Sequence, residues 1–496
     1  MIEINDVSFH YNDCEEESIS NINLTVKKGE FLLLCGRSGC GKTTLTRLLN
    51  GLIPHFYEGT LKGEVLLEGR RVADLKMHQT ARQVGSVFQD PRSQFFTVDT
   101  ISEIAFTCEN LGMPREEIKR RLENTAVLLK MEKLMDRSIF NLSSGEKQKI
   151  AVASVHAAAP CVYVLDEPSA NLDPRAVEEL REVLTLLKNK GHTIIIGEHR
   201  LYYLKDLVDR VIYMEGGKIK AELDRGSFLS LSHEERAQKG LRCLFPEKLA
   251  SGAVDRKGRG EETALDIKNL CFAYEGNQPL LEGLCLKAGR NEVIGIIGDN
   301  GVGKSTFARI LSGLIQEKRG TVELNSVRAK AGRRLKNSYF VMQDADYQLF
   351  TESVEDELKL GNEAVFDLEE KVEKTLKALG LDRFRERHPA SLSGGQKQRV
   401  TIAVALVRDS QIVIFDEPTS GLDAENMKRV AAMLLKIAGE GKTVFVISHD
   451  YEFILHSCTW IVYLKEGKFI EDFPLNEKSL ERLWDIFNGS PADQVL

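Results

Sequence analysis

Residues 36–43 read GRSGCGKT and fit the pattern G-x-x-x-x-G-K-[ST], from which the fold of this chain can be inferred. The pattern is typical of a loop that joins a strand to a helix and binds phosphate groups. Its glycines let backbone N–H groups converge on phosphate oxygens, and the helix presents its positive N-terminal end to them. Residues 298–305, GDNGVGKS, fit the pattern again. Both copies follow an apolar run and precede a helical one, so the sequence predicts two phosphate sites rather than a chance glycine-rich turn.

The lysine and the hydroxyl residue at the end of each loop have separate tasks. Lys42 and Lys304 would reach the terminal phosphates, whereas Thr43 and Ser305 would hold Mg²⁺. The residues predicted to bind the phosphates are Gly36, Arg37, Ser38, Gly39, Cys40, Gly41, Lys42, Thr43 and Thr44 in the first copy and Gly298, Asp299, Asn300, Gly301, Val302, Gly303, Lys304, Ser305 and Thr306 in the second.

The two loops belong to a longer internal repeat. The stretch VYVLDEPSANLDP at 162–174 returns as VIFDEPTSGLDA at 413–424, and TIIIGEH at 193–199 returns as TVFVISH at 443–449. The order of the motifs is the same in both halves, and the period is far too long for a solenoid. The sequence therefore predicts a duplicated domain.

We place the first domain at residues 1–235 and the second at 264–496. The segment between them, 236–263, is charged, contains glycine and lacks sustained periodicity, as expected of a linker. Within each domain, short apolar runs such as EFLLLCG and HTIIIGE are typical of strands buried on both faces. Amphipathic helical stretches alternate with them, which predicts an α/β fold around a largely parallel sheet.

Composition narrows the class of protein. The formal net charge of −7 argues against a dedicated nucleic-acid binder, which usually has a basic surplus. The nine cysteines include no C-x-x-C pair and predict reduced thiols of a cytosolic protein. Charges near the N-terminus argue against a signal peptide, and no apolar run approaches the roughly 18 residues of a membrane span. The sequence predicts a soluble protein that can still dock on a membrane partner.

Each repeat also contains a strand that ends in two adjacent carboxylates. Asp166 and Asp416 suit a role near Mg²⁺, and Glu167 and Glu417 suit the base that polarises an attacking water. An isolated Asp-Glu at a strand end is more often a solvated turn or a cap. Because the pair follows a phosphate loop in both repeats, we predict the catalytic role.

These loops and strands, together with LSSGEKQKI at 142–150 and LSGGQKQRV at 392–400, resemble the ATP-binding cassette (ABC) family over essentially the whole chain. The resemblance implies an ATPase that uses ATP and Mg²⁺. It implies two tandem nucleotide-binding domains, each with a P-loop α/β core, a helical subdomain and an N-terminal antiparallel β part.

The resemblance also implies roles at matching positions. They are adenine stacking for Tyr11 and Tyr274, Mg²⁺ contact and partner coupling for Gln89 and Gln343, a domain-interface role for Asp173 and Asp423, and γ-phosphate sensing for His199 and His449. Taken alone, each tyrosine or histidine would more often be a packing residue.

In this family two domains hold two ATP molecules head to tail, and here both domains belong to one chain. The resemblance implies a first site of Lys42 and Glu167 completed by Ser393 and Gly395, and a second site of Lys304 and Glu417 completed by Ser143 and Gly145. Ser144 and Glu146 in the first copy replace Gly394 and Gln396 of the second. A carboxylate beside a polyphosphate repels it unless it is neutralised or turned away. We hypothesise that the second site is weaker; the alternative is that the two sites are equivalent.

Residues 88–106 (FQDPRSQFFTVDTISEIAF), 342–358 (MQDADYQLFTESVEDEL) and 50–59 (NGLIPHFYEG) resemble the fused ATPases of energy-coupling-factor (ECF) importers. The resemblance implies a peripheral protein on the cytoplasmic face of the membrane. Its partners would be a membrane scaffold subunit and a small substrate-capturing membrane subunit, which import a vitamin, a vitamin precursor or a transition-metal ion. Candidates for the docking surface are Gln94, Phe95, Gln348 and Phe350; the alternative is that the aromatic residues pack the helical subdomain.

Two other functions stay open. The first is the ATPase of another ABC importer, such as a sugar importer, although one catalytic site is usually damaged in that family. The second is a soluble tandem ABC protein that acts on ribosomes, which would be expected to carry a long charged helical linker. An iron–sulfur relative would need clustered N-terminal cysteines, and only Cys14 lies near that end.

Overall fold

The computed structural model describes residues 2–12, 17–249, 263–275, 278–343, 345–363, 365–392, 394–419 and 421–488. The chain forms two compact units, Met1–Phe245 with Asp423–Glu425, and Pro246–Leu422 with Asn426–Leu496. The predicted linker overlaps this division, but its residues 250–262 lie outside the described residues. The domain boundaries 1–235 and 264–496 therefore stay a prediction.

The first unit contains two sheets. Its strands are β1 (Ile2–Tyr11), β2 (Ile19–Val26), β3 (Phe31–Gly36), β4 (Gly59–Leu67), β5 (Arg70–Arg71), β6 (Val84–Val87), β7 (Val162–Asp166), β8 (Thr193–Gly197), β9 (Arg210–Glu215) and β10 (Lys218–Asp224). The four-stranded sheet has the order β2-β1-β4-β5 and is antiparallel. The six-stranded sheet has the order β10-β9-β3-β8-β7-β6, in which only the edge strand β10 runs antiparallel to its neighbour.

Helices of the first unit cover the parallel sheet and form a separate helical part. They are α1 (Lys42–Leu49), α2 (Leu52–His55), α3 (Met77–Ala81), α4 (Thr100–Asn110), α5 (Arg115–Leu128), α6 (Ser144–Ala157), α7 (Pro174–Asn189), α8 (Arg225–Leu229) and α9 (His233–Gln238). The central strand β3 divides its buried side chains between two cores. Phe31 and Leu33 pack with the helices, whereas Leu32 and Leu34 pack against the antiparallel sheet. Burial on both faces explains why the strand is apolar throughout.

The second unit repeats this arrangement. Its strands are β11 (Thr263–Phe272), β12 (Leu281–Gly289), β13 (Val293–Ile297), β14 (Arg319–Leu324), β15 (Val327–Arg328), β16 (Ser338–Val341), β17 (Ile412–Asp416), β18 (Thr443–Ile447), β19 (Trp460–Lys465) and β20 (Lys468–Pro474). Its helices are α10 (Lys304–Leu311), α11 (Ala331–Asn337), α12 (Val354–Lys359), α13 (Leu368–Ala378), α14 (Gly394–Val407), α15 (Ala424–Gly439), α16 (Tyr451–Ser457) and α17 (Leu480–Asn488).

The sheet orders of the second unit are β12-β11-β14-β15 and β16-β17-β18-β13-β19-β20. In both units the phosphate loop lies between a central parallel strand and the helix that follows it, and the acidic pair lies at the end of a strand in the same sheet. The predicted α/β architecture, with an antiparallel part and a helical part in each half, is confirmed. None of the helices in the described ranges is long and apolar enough to cross a membrane.

Candidate functional site

The first glycine of each phosphate loop is required by close backbone packing. Gly36 ends β3 and Gly298 follows β13, and both have φ +148°. A Cβ atom at Gly36 would lie 2.1 Å from the carbonyl oxygen of Met214 in β9, and one at Gly298 would lie 2.1 Å from that of Leu464 in β19. Real Cβ atoms do not approach a backbone oxygen so closely, so no side chain fits at either position.

The loop lysines are held by their own loops. The Nζ atom of Lys42 donates to the carbonyl oxygens of Gly36 at 3.3 Å and Arg37 at 3.4 Å, and it lies 3.0 Å from Nε2 of His199. Nζ of Lys304 donates to the carbonyl oxygens of Gly298 at 2.8 Å and Asp299 at 2.7 Å. A buried ammonium group needs such partners. Phosphate oxygens can replace them when a ligand enters the loop.

Glu167 lies at the centre of a group of predicted site residues. Its Oε1 lies 3.2 Å from Nε2 of His199, and its Oε2 accepts a hydrogen bond from Nε2 of Gln89 at 3.1 Å. Burial raises the pKa of Glu167, but His199 and the charge of Lys42 outweigh it and hold the pKa below the ordinary value. Glu167 also has φ +44°, a strained conformation for a residue with a side chain. The side chain is therefore kept as a carboxylate in a fixed position.

The neighbouring Asp166 suits a cation. Burial and the negative charge of Glu167 raise the pKa of Asp166 to about 6, although a hydrogen bond with Thr43 lowers it. Its Oδ1 atom is buried and has no hydrogen-bond partner among the residues that the structure describes. Thr43, Asp166 and Gln89 all offer oxygen atoms, which Mg²⁺ prefers as ligands. The residues present therefore fit the predicted Mg²⁺.

The second unit brings together the corresponding residues. Oε1 of Glu417 lies 3.4 Å from Nε2 of His449, which also lies 2.9 Å from Oδ1 of Asn300. Glu417 has φ +49°, close to the angle of its counterpart. Burial raises the pKa of Asp416 above its ordinary value, although a hydrogen bond with Ser305 opposes this rise. Gln343 follows β16 directly after Met342, at the end of the same sheet.

The predicted adenine-stacking residues lie beside the same helices. The hydroxyl group of Tyr11 is 3.4 Å from Oγ1 of Thr44 in α1, and that of Tyr274 is 3.2 Å from Oγ1 of Thr306 in α10. Each tyrosine ring also meets a phenylalanine edge-on. Each tyrosine therefore contacts, through its hydroxyl group, the helix that begins at the phosphate loop.

Glu146 stands where the second repeat has Gln396, and neighbouring groups compensate its negative charge. Its Oε2 accepts from the backbone N–H of Ser143 at 2.8 Å, and the backbone N–H of Glu146 donates to Oγ of Ser143 at 3.2 Å. These reciprocal bonds form a capping box at the start of α6. Nη1 of Arg137 lies 3.2 Å from Oε1 of Glu146. Although burial raises the pKa of Glu146, these bonds and the charge of Arg137 hold it below its usual value.

Other predicted residues take the following positions. A Cβ atom at Gly145 would lie 2.6 Å from Cβ of Ala176 in α7, so this glycine is also needed for packing. Asp173 caps α7 by accepting from the backbone N–H of Ala176 at 2.8 Å. Asp423 is buried directly before α15. Gly395 lies in the first turn of α14, and Ser393 lies outside the described residues.

The candidate docking residues separate into two kinds. Gln94 and Gln348 turn inward, because their Oε1 atoms accept from the backbone N–H groups of Phe88 at 3.3 Å and Met342 at 3.0 Å. Phe95 packs against the core, which favours the packing interpretation for this residue. Phe350 is 75% exposed. Its counterpart in the first unit is Phe96, which is 73% exposed and which the sequence analysis missed.

Sequence reasoning also missed Glu198, which is 2% exposed. Its carboxylate accepts hydrogen bonds from the hydroxyl groups of Ser169 and Tyr203, each at 2.8 Å, and from the backbone N–H of His199 at 2.7 Å. It thereby joins the segment after the acidic pair to the loop that carries His199. The only available signal was an acidic residue beside the predicted histidine in an otherwise apolar stretch.

Replacing Glu198 with alanine should lower the free energy of unfolding of the first unit by about 3 kcal/mol, because two buried hydroxyl groups lose a charged acceptor. Urea unfolding followed by circular dichroism measures the change. The control is Glu123→Ala on the exposed face of α5, for which we expect a change within about 0.5 kcal/mol. Equal stabilities of the two variants would contradict the assigned role of Glu198.

Comparison with known proteins shows the family to which the chain belongs. The family model described as ABC transporter matches residues 19–170 and again residues 281–420. A protein of Treponema denticola assigned as an ABC transporter ATP-binding protein is 43% identical over 478 residues, covering 96% of this chain and 97% of that protein. A protein of Methanosarcina acetivorans with the same assignment is 33% identical over 531 residues, covering 96% of this chain and 86% of that protein.

A solved structure of ribosome-bound archaeal Pelota and ABCE1 also contains a similar chain. The TM-score is 0.69 at 22% identity, and the match covers 97% of this chain and 80% of that chain. At this identity the similarity concerns the fold alone. The family match in both halves and the full-length relatives agree with the two phosphate loops and two acidic pairs described above. The chain therefore belongs to the ABC transporter family, as an ATP-binding component with two ATPase cassettes in tandem.

Proposed function

We propose that this chain is the ATPase subunit of an ECF-type importer that takes up a vitamin, a vitamin precursor or a transition-metal ion. It would lie on the cytoplasmic face of the membrane, bound to a scaffold subunit and, through it, to a small substrate-capturing subunit. The observation that carries the proposal is a pair of exposed phenylalanines, Phe96 and Phe350, at matching positions of the two units.

A buried glutamate accepts hydrogen bonds from the loop that carries each exposed phenylalanine. Oε2 of Glu103 accepts from the backbone N–H of Phe96 at 3.0 Å and from the N–H and hydroxyl of Thr97, each at 2.9 Å. Glu357 makes the same three bonds with Phe350 and Thr351, at 2.8 to 3.0 Å. These hydrogen bonds order the loops from within and leave both rings exposed to solvent. The ring of Phe96 stacks on that of Phe106, with centroids 5.0 Å apart. Large exposed aromatic residues on rigid loops are typical of protein–protein contact sites.

The same loops begin at Gln89 and Gln343, next to the nucleotide sites. We propose that nucleotide binding moves these loops and, with them, the docked scaffold. Hydrolysis and product release would return them. The segments that resemble ECF ATPases, 88–106 and 342–358, contain both phenylalanines and both glutamines.

Within each site, we propose that the chain's own residues divide the work of hydrolysis. The loop N–H groups and Lys42 or Lys304 hold the phosphates, and Glu167 or Glu417 orients the attacking water and accepts its proton. His199 and His449 contact the γ-phosphate. Thr43, Gln89 and Asp166 in the first unit and Ser305, Gln343 and Asp416 in the second would hold Mg²⁺, which neutralises phosphate charge when bound.

We further propose that the two sites form head to tail within the chain, with Ser393 and Gly395 completing the first and Ser143 and Gly145 completing the second. The contacts of Glu146 bear on the expected difference between these sites. Because Arg137 and the capping box satisfy its carboxylate, Glu146 repels an incoming polyphosphate less than a free carboxylate would. This supports a second site that is slower but still active.

Co-purification from the native host tests the docking proposal. The tagged chain should retain small, very hydrophobic membrane proteins after gentle solubilisation, and the double variant Phe96→Ala/Phe350→Ala should retain them about tenfold less. The matched control is Phe140→Ala/Phe366→Ala, which removes two other exposed phenylalanines. Ribosomal subunits with no membrane protein would contradict the importer role, and equal losses in both double variants would contradict the docking site.

A further inference from the structure

The first half of the chain carries an insertion beside Tyr11. Ten residues separate Leu52 from Gly63 in the first half, whereas five separate Leu314 from Gly320 in the second. The longer segment contains Tyr57, and the shorter segment contains no aromatic residue. The insertion therefore places an aromatic ring beside one adenine-stacking residue and not the other.

Tyr57 is joined to Tyr11 through an arginine. Nη1 of Arg47, one turn along α1 from the phosphate loop, donates to the hydroxyl oxygen of Tyr11 at 3.0 Å. The guanidinium carbon of Arg47 lies 3.9 Å from the centre of the Tyr57 ring. The rings of Tyr57 and Tyr11 meet edge-on, with centroids 6.1 Å apart and an interplanar angle of 88°. Phe9 meets the Tyr11 ring edge-on as well, at 4.8 Å.

The second unit lacks part of this arrangement. Arg309 lies at the same position of α10 as Arg47 of α1, five residues after the loop lysine in each copy. The positive charge of Arg47 lowers the pKa of Asp166, and that of Arg309 lowers the pKa of Asp416, each against a larger rise caused by burial. Tyr274, however, is 43% exposed, whereas Tyr11 is half-buried and packs against the core of the antiparallel sheet. The charge is common to both units, whereas among the described residues only the first unit has a second tyrosine ring beside the stacking residue.

We propose that Arg47 and Tyr57 are positioning residues that fix the ring of Tyr11, so that the first site holds the purine base more firmly than the second. The inference rests on the proposed adenine-stacking role of Tyr11. A ring that is ordered before binding loses less entropy when the base stacks on it. An arginine placed between two aromatic side chains keeps its charge at all physiological pH values and contributes a cation–π contact.

The test isolates the first site in the full-length chain by adding Lys304→Ala, which weakens phosphate binding in the second loop. Calorimetry then measures the affinity for ATP and for inorganic tripolyphosphate, which has the phosphates without the base. We expect Arg47→Lys and Tyr57→Leu each to weaken ATP binding about fivefold and to leave tripolyphosphate binding unchanged. Arg47→Lys keeps the charge, so any effect reports on the geometry of Tyr11.

Two matched variants complete the design. Tyr57→Phe keeps the ring and should bind ATP like its parent. In a chain with Lys42→Ala, which leaves the second site, Arg309→Lys should change ATP and tripolyphosphate affinity by less than about twofold. Thermal unfolding confirms that each variant is folded.

The measurements distinguish a failure of the role of Arg47 and Tyr57 from a failure of the adenine-stacking role of Tyr11. Equal weakening of ATP and tripolyphosphate, or no weakening of either, would overturn the role of Arg47 and Tyr57 while leaving the nucleotide site intact. If the parent with Lys304→Ala bound ATP no better than tripolyphosphate, the adenine-stacking role of Tyr11 would fail, and the inference with it.

Discussion

Replacing Glu167 with glutamine should remove most ATP turnover of the chain, and replacing Glu417 should remove a smaller share. Each substitution removes the proposed base and should slow its own site by about 10²- to 10⁴-fold. The remaining turnover of each variant therefore reports on the other site. If the site completed by Ser143 and Gly145 is the slower one, the Glu167→Gln variant is left with the lower rate.

Steady-state phosphate release at saturating ATP measures this difference. The double variant should retain no more than about 1% of the parental rate, and Glu123→Gln on an exposed helix face should keep the full rate. Equal losses in the two single variants would contradict the asymmetry and favour equivalent sites. A double variant that still turned over ATP would contradict the assignment of both glutamates as bases.

Replacing Gly36 with alanine should destabilise the first unit by about 3 kcal/mol or more and abolish ATP binding there, because the added methyl group would meet the backbone of β9. Gly39 provides a matched control in the same loop. It has φ +76°, but a Cβ atom at Gly39 would meet no atom within 4 Å in the described part of the chain outside its own chain neighbours. Gly39→Ala should therefore pay only the conformational penalty of a positive φ, about 1 kcal/mol.

Thermal unfolding and ATP titration of Gly36→Ala and Gly39→Ala, side by side, separate the two effects. Gly298→Ala should repeat the larger effect in the second unit, where the methyl group would meet Leu464. If the two alanine variants of the first loop were equally stable, the close approach of Met214 would not be what selects glycine at position 36. The pattern G-x-x-x-x-G-K-[ST] would then reflect phosphate binding alone.

Several features could be predicted from the sequence because they depend on short stretches. The phosphate loops follow from glycine spacing, which sets the local backbone. The duplication follows from the repeated order of motifs, and the α/β class follows from apolar runs that match strands buried on both faces. Each of these inferences uses residues that are close together along the chain.

Features that join distant segments could not be read in this way. Lys42 and His199 are 157 residues apart, and only the packing of β3 beside β8 brings them within 3.0 Å. The distinction between Phe95, which packs inward, and Phe96, which faces solvent, depends on which N–H groups the buried Glu103 accepts.

The family, the two ATPase cassettes and the position of each phosphate loop all follow from the order of amino acids along the chain. Three contacts are visible only in the folded chain. Arg137 compensates the negative charge of Glu146, Glu198 supports the loop that carries His199, and Tyr11 has an arginine and a second tyrosine beside it. This difference arises because backbone conformation depends largely on local residue types. The protonation, orientation and exposure of a side chain depend instead on the neighbours that folding brings to it.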